Sequence, residues 1–193
     1  TDALRASESR SVTVPPPGPE EYRKYATGKL RRDGVPGFNT PSGRVELRSA
    51  ILEKHGFPGL PEYQEPVASP LSTPDLAVDY PLILDTGSRV PMFTHSKLRE
   101  LPWLQTLMPE PIVRLNPVDA SLRGVRDGGR VRLSSPSGAI DLTAEVTEMV
   151  RPGVVDVFHG WLKANVNELV ARDFDPISGF PPYKEGLCQV TKA

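Results

Sequence analysis

Leu82-Ile83-Leu84-Asp85-Thr86-Gly87-Ser88-Arg89, running on to Thr94-His95-Ser96, is the stretch whose reading decides the fold. Three consecutive apolar residues are too few for a helix and suit a short buried strand. The polar residues behind them predict a loop at the end of that strand. Gly87 lets a backbone or ligand approach closely, and Arg89 offers a forked donor. Hydroxyls, a glycine and a guanidinium delivered to one point can hold an anion.

The same punctuation repeats toward the C-terminus. Ile112 to Leu115 predicts a second strand. Asn116 can cap and Pro117 suits the first helical position, so a short helix follows, with Asp119 at its positive end and Gly124 as its stop. Asp127-Gly128 is a turn before Val131 and Leu133, which share a face. Ser137-Gly138 is another, before the alternation of Ile140, Leu142, Ala144 and Val146. Pro152-Gly153 breaks the chain ahead of Val154 to Phe158, and Leu187 to Thr191 predicts the last strand. At least six short strands with one or two single-turn helices point to a small β-barrel over residues 80–193.

Residues 1–79 read as an N-terminal tail and lead-in arm packed on that barrel. Pro15-Pro16-Pro17 interrupts the tail, and Glu20 to Tyr25 predicts a short helix. Arg44 to Arg48 alternates polar and apolar like a half-buried strand. Ser49 can cap a helix over Ala50 to His55, which Gly56 ends. Phe57 to Tyr80 is Pro-rich and predicts a long extended connection.

Composition narrows the function classes. The chain has 193 residues and 38% hydrophobic content, enough for one core. Its 22 prolines, clustered at Pro15–Pro19, Pro58–Pro81 and Pro176–Pro182, cut it into pieces too short for helical layers. A formal charge of −1 supplies no field to collect nucleic acid, so any anion must be held by local geometry. No apolar run approaches the roughly 20 residues of a membrane span. No export signal is legible at Thr1, and the compartment, cytoplasm or periplasm of a bacterium or archaeon, would be set by segments outside this sequence. One cysteine, Cys188, allows neither an internal disulfide nor a Cys-rich metal cluster.

Five segments, in order, resemble the C-terminal domain of the dimethyl sulfoxide reductase family of molybdenum and tungsten oxidoreductases. They are FNTPSGRVEL from Phe38 with GFPGLPEYQEP after it, LDTGSR with Thr94-His95-Ser96, NPVDA from Asn116 with GVRDGGRVRLSSPSG, PGVV from Pro152 through Gly160-Trp161, and NVNELV from Asn165 with DPISGFPPYK. None is specific alone; their order is. The resemblance implies a mainly β fold, a six-stranded double-psi β-barrel with a few short helices and a Pro-rich N-terminal arm. It also implies that the barrel binds molybdopterin guanine dinucleotide, with molybdenum or tungsten held by a larger parent enzyme. The remaining parent domains would be its partners, with an electron-transfer subunit as a further candidate. The family's iron–sulfur and metal ligands lie in earlier domains, so no catalytic or metal-ligating residue is assigned here and the chain alone is expected to be inactive.

The cofactor-binding candidates are Thr86, Gly87, Ser88, Arg89, Thr94, His95, Ser96, Asn167, Tyr183 and Lys184. By themselves the residues favour an ordinary turn with a solvated Arg89; the resemblance reverses that preference. Asn167 can read a mixed donor–acceptor pterin edge, whereas Asn165 is equally a cap. Tyr183-Lys184 matches a late cofactor contact, or else a Pro-ordered surface loop. His55 is read as a helix cap and Cys188 as a small buried apolar residue, while His159, beside Gly160-Trp161, reads first as a satisfied structural histidine and second as a residue facing the cofactor cleft. Trp103 and Trp161 read as packing or a lid, Asp173 and Asp175 as loop residues, and Lys29 to Arg32 as a solvated run answered by Asp33. Two other readings stand beside this one. A free-standing double-psi barrel could serve as an interaction module, and a pyruvoyl enzyme could cleave itself at Gly87-Ser88.

Overall fold

A computed structural model of the chain describes residues 2–9, 11–14, 18–19 and 21–193. The Pro15-Pro16-Pro17 break and the first residue of the helix expected from Glu20 lie outside the described residues. The chain divides into two compact units, Thr1–Tyr63 and Gln64–Ala193.

The second unit is a closed barrel of six strands in the order β1-β5-β2-β4-β3-β6. They are β1 (Leu82–Arg89), β2 (Ile112–Leu115), β3 (Arg130–Ser135), β4 (Gly138–Val146), β5 (Val154–His159) and β6 (Leu187–Lys192). Alternation builds it: Leu82 and Leu84, Val113 and Leu115, Val131 and Leu133, Leu142 and Ala144, and Val155 and Val157 all point inward and are buried. Closure leaves no sheet edge exposed. Two pairs are parallel, β1 with β5 and β2 with β4; the other four are antiparallel. The parallel β1/β5 pair matters most, because it brings Arg89 beside His159 at the C-terminal ends of both strands.

The expected helix after β2 forms over Pro117–Leu122, with the Asn116 side chain accepting from the Val118 amide at 3.0 Å. Another short helix, Ala50–Lys54, is capped as expected by Ser49, and His55 is its C-terminal cap residue. Arg31 pairs with Asp33, whose carboxyl this hydrogen bond holds down at about 2.

Three expectations fail. Arg44 to Arg48 forms no strand: Val45 and Leu47 are exposed, and the backbone is folded on itself by Thr40 Oγ1 donating to Arg44 O at 2.6 Å. Alternation without a partner strand does not make a sheet. Residues 21–25 are not helical but enter a run of turns. The 57–80 connection contains a helix, Pro74–Asp79, announced by Thr73 at the cap position, Pro74 at the first turn and Asp75 behind it. Within residues 80–193 the α-helices are two, Pro102–Gln105 and Pro117–Leu122, as expected for the barrel. No helix of the described residues is long and apolar enough to cross a membrane.

Candidate functional site

The polar run after Leu84 is strand, not loop. β1 continues through Asp85–Arg89 beside β5, with a register shift between Asp85 and Ser88. Asp85 Oδ1 accepts the Gly87 amide at 2.8 Å, and the local turn this closes accommodates the bulge. Thr86 is buried, and both its amide and its hydroxyl donate to Tyr183 O, at 2.9 and 2.8 Å. Its hydroxyl therefore holds the 181–186 loop instead of facing solvent. Gly87 lies under the Lys184 stem, where a Cβ would meet Lys184 Cε at 2.8 Å. Thr86, Gly87, Tyr183 and Lys184 thus converge although Thr86 and Tyr183 are 97 positions apart.

Beyond Arg89 the chain is anchored before it turns outward. Val90, Phe93, Leu104 and Phe158 form a second buried cluster outside the barrel, with Met92, Met108, Ile112 and Trp161 packed against it. Trp161 meets Phe93 edge-on at 5.6 Å, whereas Trp103 is exposed. On this base a single 3-10 turn, Pro91–Phe93, throws Thr94, His95 and Ser96 to the surface. Thr94 and His95 have φ of 46° and 70°, left-handed values that cost a non-glycine residue on the order of 1 kcal/mol or more. The His95, Ser96 and Lys97 amides donate to no protein group. Successive free amides on a left-handed turn form an anion-binding concavity.

Arg89 is exposed and donates Nη1 to His95 Nε2 at 3.0 Å. A guanidinium can only donate, so that ring nitrogen carries no proton in this arrangement. The His95 and His159 ring centroids are 5.8 Å apart. Among the described residues the His159 ring nitrogens make no hydrogen bond to protein. Two contacts lock this corner: Arg99 donates Nη1 to Gly160 O, and Gly160, at φ 122°, would with a Cβ come within 2.9 Å of His95 O. The sequence shows only a strand end followed by glycine here. Arg99 is not recognisable from the sequence, and His159, which the sequence allows to face the cleft, is set beside Arg89 only by the parallel pairing.

A charged row crosses the outside of the barrel beneath this corner, Asp85–Asp156–Arg114–Glu145, one residue from each of β1, β5, β2 and β4. Arg114 reaches Glu145 at 2.8 Å and Asp156 at 3.6 Å while lying over the Phe158 ring. Burial pushes the Asp156 carboxyl up and Asp85 adds to that, against Ser88 and Arg114, which lower it. Ser88 is paired with Phe158 across β1 and β5.

Asn165 caps the 3-10 turn Val166–Glu168, its side chain accepting from the Asn167 amide at 3.2 Å. Asn167 is exposed, and its own carboxamide is free of protein partners. A cavity of about 510 Å³ opens beside Thr86 and Tyr183, floored by Leu84, Ser135 and Leu169 and walled by Phe174 and Phe180. Asp175 closes its rim as a turn residue, accepting from the Ile177 and Ser178 amides at 3.0 and 2.6 Å. Cys188 is fully buried, and burial pushes its thiol up, out of reach of redox chemistry.

The set of outward groups is therefore two cations (Arg89, Lys184), two hydroxyls (Thr94, Ser96), three amides, imidazoles and a carboxamide. That donor set suits a diphosphate joined to a polar ring. Residues 82–187 match the family model described as a molydopterin dinucleotide binding domain. The chain is 34% identical to dopamine dehydroxylase of Eggerthella lenta, over 89% of this chain and 20% of that protein. It is 35% identical to acetylene hydratase of Syntrophotalea acetylenica, over 73% and 20%. A probable dimethyl sulfoxide reductase chain of Escherichia coli is 32% identical over 80% and 21%. The solved acetylene hydratase from Pelobacter acetylenicus superposes with a TM-score of 0.77 and 28% identity, over 85% of this chain and 25% of that one. The chain thus spans about a fifth of the length of these curated relatives.

Proposed function

The chain belongs to the molydopterin dinucleotide-binding domain family, and from that premise we propose that it cradles a molybdopterin guanine dinucleotide for a larger molybdenum or tungsten oxidoreductase. The observation that supports this is the corner at the end of β1, where Arg89 meets His95 beside the 95–97 amides and Lys184 covers Gly87 on the same strand. Arg89 grips the diphosphate as a fork, Thr94 and Ser96 donate hydroxyls to it, and the His95–Lys97 amides receive its charge. Lys184 neutralises the same group from across Gly87, and Tyr183 and Asn167 meet the polar rings. Thr86 acts one step back, holding the Tyr183–Lys184 loop.

When bound, the cofactor supplies the metal centre; the chain's own residues supply binding, orientation and charge balance. The remaining domains of the parent enzyme are the partners in this reading, with an electron-transfer subunit beyond them. The test is Arg89→Ala in the longer protein that carries this chain. Bound pterin, read as fluorescence after release and oxidation, is expected to fall at least about tenfold, equivalent to about 1.4 kcal/mol. Pterin content equal to that of the unmodified protein would overturn the assignment.

A further inference from the structure

We propose that His159 is a third side chain of the anion seat, sharing the cofactor's diphosphate with Arg89 and His95. The inference rests on the cofactor reading above and extends it to a residue that the segment match does not single out. Three observations carry it. Arg89 and His159 are paired across β1 and β5, so their side chains leave the barrel at the same level. The His159 ring lies tilted against His95, with 5.8 Å between ring centroids, and among the described residues its nitrogens make no hydrogen bond to protein. Two N–H···O bonds of about 2.9 Å can share one phosphate oxygen across a gap of that order.

The third observation is that the corner is held open in this shape. Gly160 lies against the His95 carbonyl and leaves no room for a side chain, and Arg99 clamps Gly160 O. Thr94 and His95 are kept in left-handed conformations by the buried Val90 and Phe93 behind them. A structure that fixes two imidazoles this closely without bonding the second to protein leaves it available to a ligand. Arg89 rests on His95 Nε2. An arriving phosphate takes over that guanidinium; His95 Nε2, freed and gaining the ring proton by tautomer exchange with Nδ1 through solvent, then donates to an oxygen, with an N–H of His159 donating from the other side.

The chain carries three histidines, which makes the test direct. Imidazole NMR signals of the full chain are followed while inorganic pyrophosphate is added. The His95 and His159 signals are expected to move together along one binding curve, while His55, which ends a helix in the other unit, stays as an internal control. His159→Ala should weaken pyrophosphate binding about fivefold to tenfold, and His159→Gln, which keeps a donor, should recover part of that loss. Arg89→Ala supplies the second arm. If it abolishes binding while His159→Ala binds as the unmodified chain does and the His159 signal stays still, the His159 proposal is wrong and the cofactor reading stands. If the unmodified chain takes up no pyrophosphate, the cofactor reading itself falls.

Discussion

Thr86 and Arg89 lie three positions apart on one strand and do opposite work. Thr86 points inward and its hydroxyl is consumed by Tyr183 O, whereas Arg89 points out with only His95 to hold it. Thr86→Val keeps the shape and removes one hydrogen bond, leaving the Thr86 amide still on Tyr183 O. The expected cost is about 1 kcal/mol in denaturant unfolding, with faster amide exchange in the 181–186 loop. Unchanged exchange there would show that the hydroxyl does not position the loop. Asp156 gives a prediction in pH. Burial raises its carboxyl above the ordinary aspartate range, so the folded state favours the protonated form. Its contribution is fully present at acid pH and is lost as pH rises through the raised value. Asp156→Asn should therefore gain stability relative to the unmodified chain as pH rises from about 4, near where unperturbed Asp titrates, through the raised value. A difference that stays flat or shrinks across that range contradicts the assignment.

At the scale of elements, the strands with clear alternation or a turn signal on each side were legible, and those depending on a distant partner were not. β2 to β6 follow from apolar positions two apart bounded by Asn116-Pro117, Asp127-Gly128, Ser137-Gly138 and Pro152-Gly153. β1 was cut short, because Asp85 to Arg89 has loop composition and is strand only through pairing with β5. Arg44 to Arg48 fails the other way, having the pattern and no partner. Pro74–Asp79 could have been read from Thr73-Pro74-Asp75, but the surrounding prolines drew attention to the extended reading. The site shows the same division. The Arg89–His95 pair lies within one segment, whereas His159 and Arg99 join it only through the parallel ladder and a loop crossing. Two element-level changes test this account. Asn116→Ala removes both the cap to Val118 and the bond to Val150 O, and should cost at least about 1 kcal/mol in unfolding free energy. Gly160→Ala meets a left-handed backbone and the His95 carbonyl, and should cost about 1–3 kcal/mol and displace the His95 NMR signal. A neutral Gly160→Ala variant would mean that the corner is not locked.

The whole molecule separates two tasks. The barrel interior is packed with aliphatic side chains and carries no chemistry, while one rim gathers cations, free amides and imidazoles on a small second core. That division explains how a chain of near-neutral net charge can hold a strongly charged ligand, since charge is concentrated by register instead of composition. The family resemblance read from the five ordered segments is borne out by the matched model over residues 82–187 and by relatives that include a probable dimethyl sulfoxide reductase chain. The measurement closest to the central claim is an equilibrium titration of the purified chain with molybdopterin guanine dinucleotide, followed by pterin fluorescence. The account predicts saturable one-to-one binding that Arg89→Ala weakens at least about tenfold. Absence of binding, or the same dissociation constant with Arg89 removed, would contradict it.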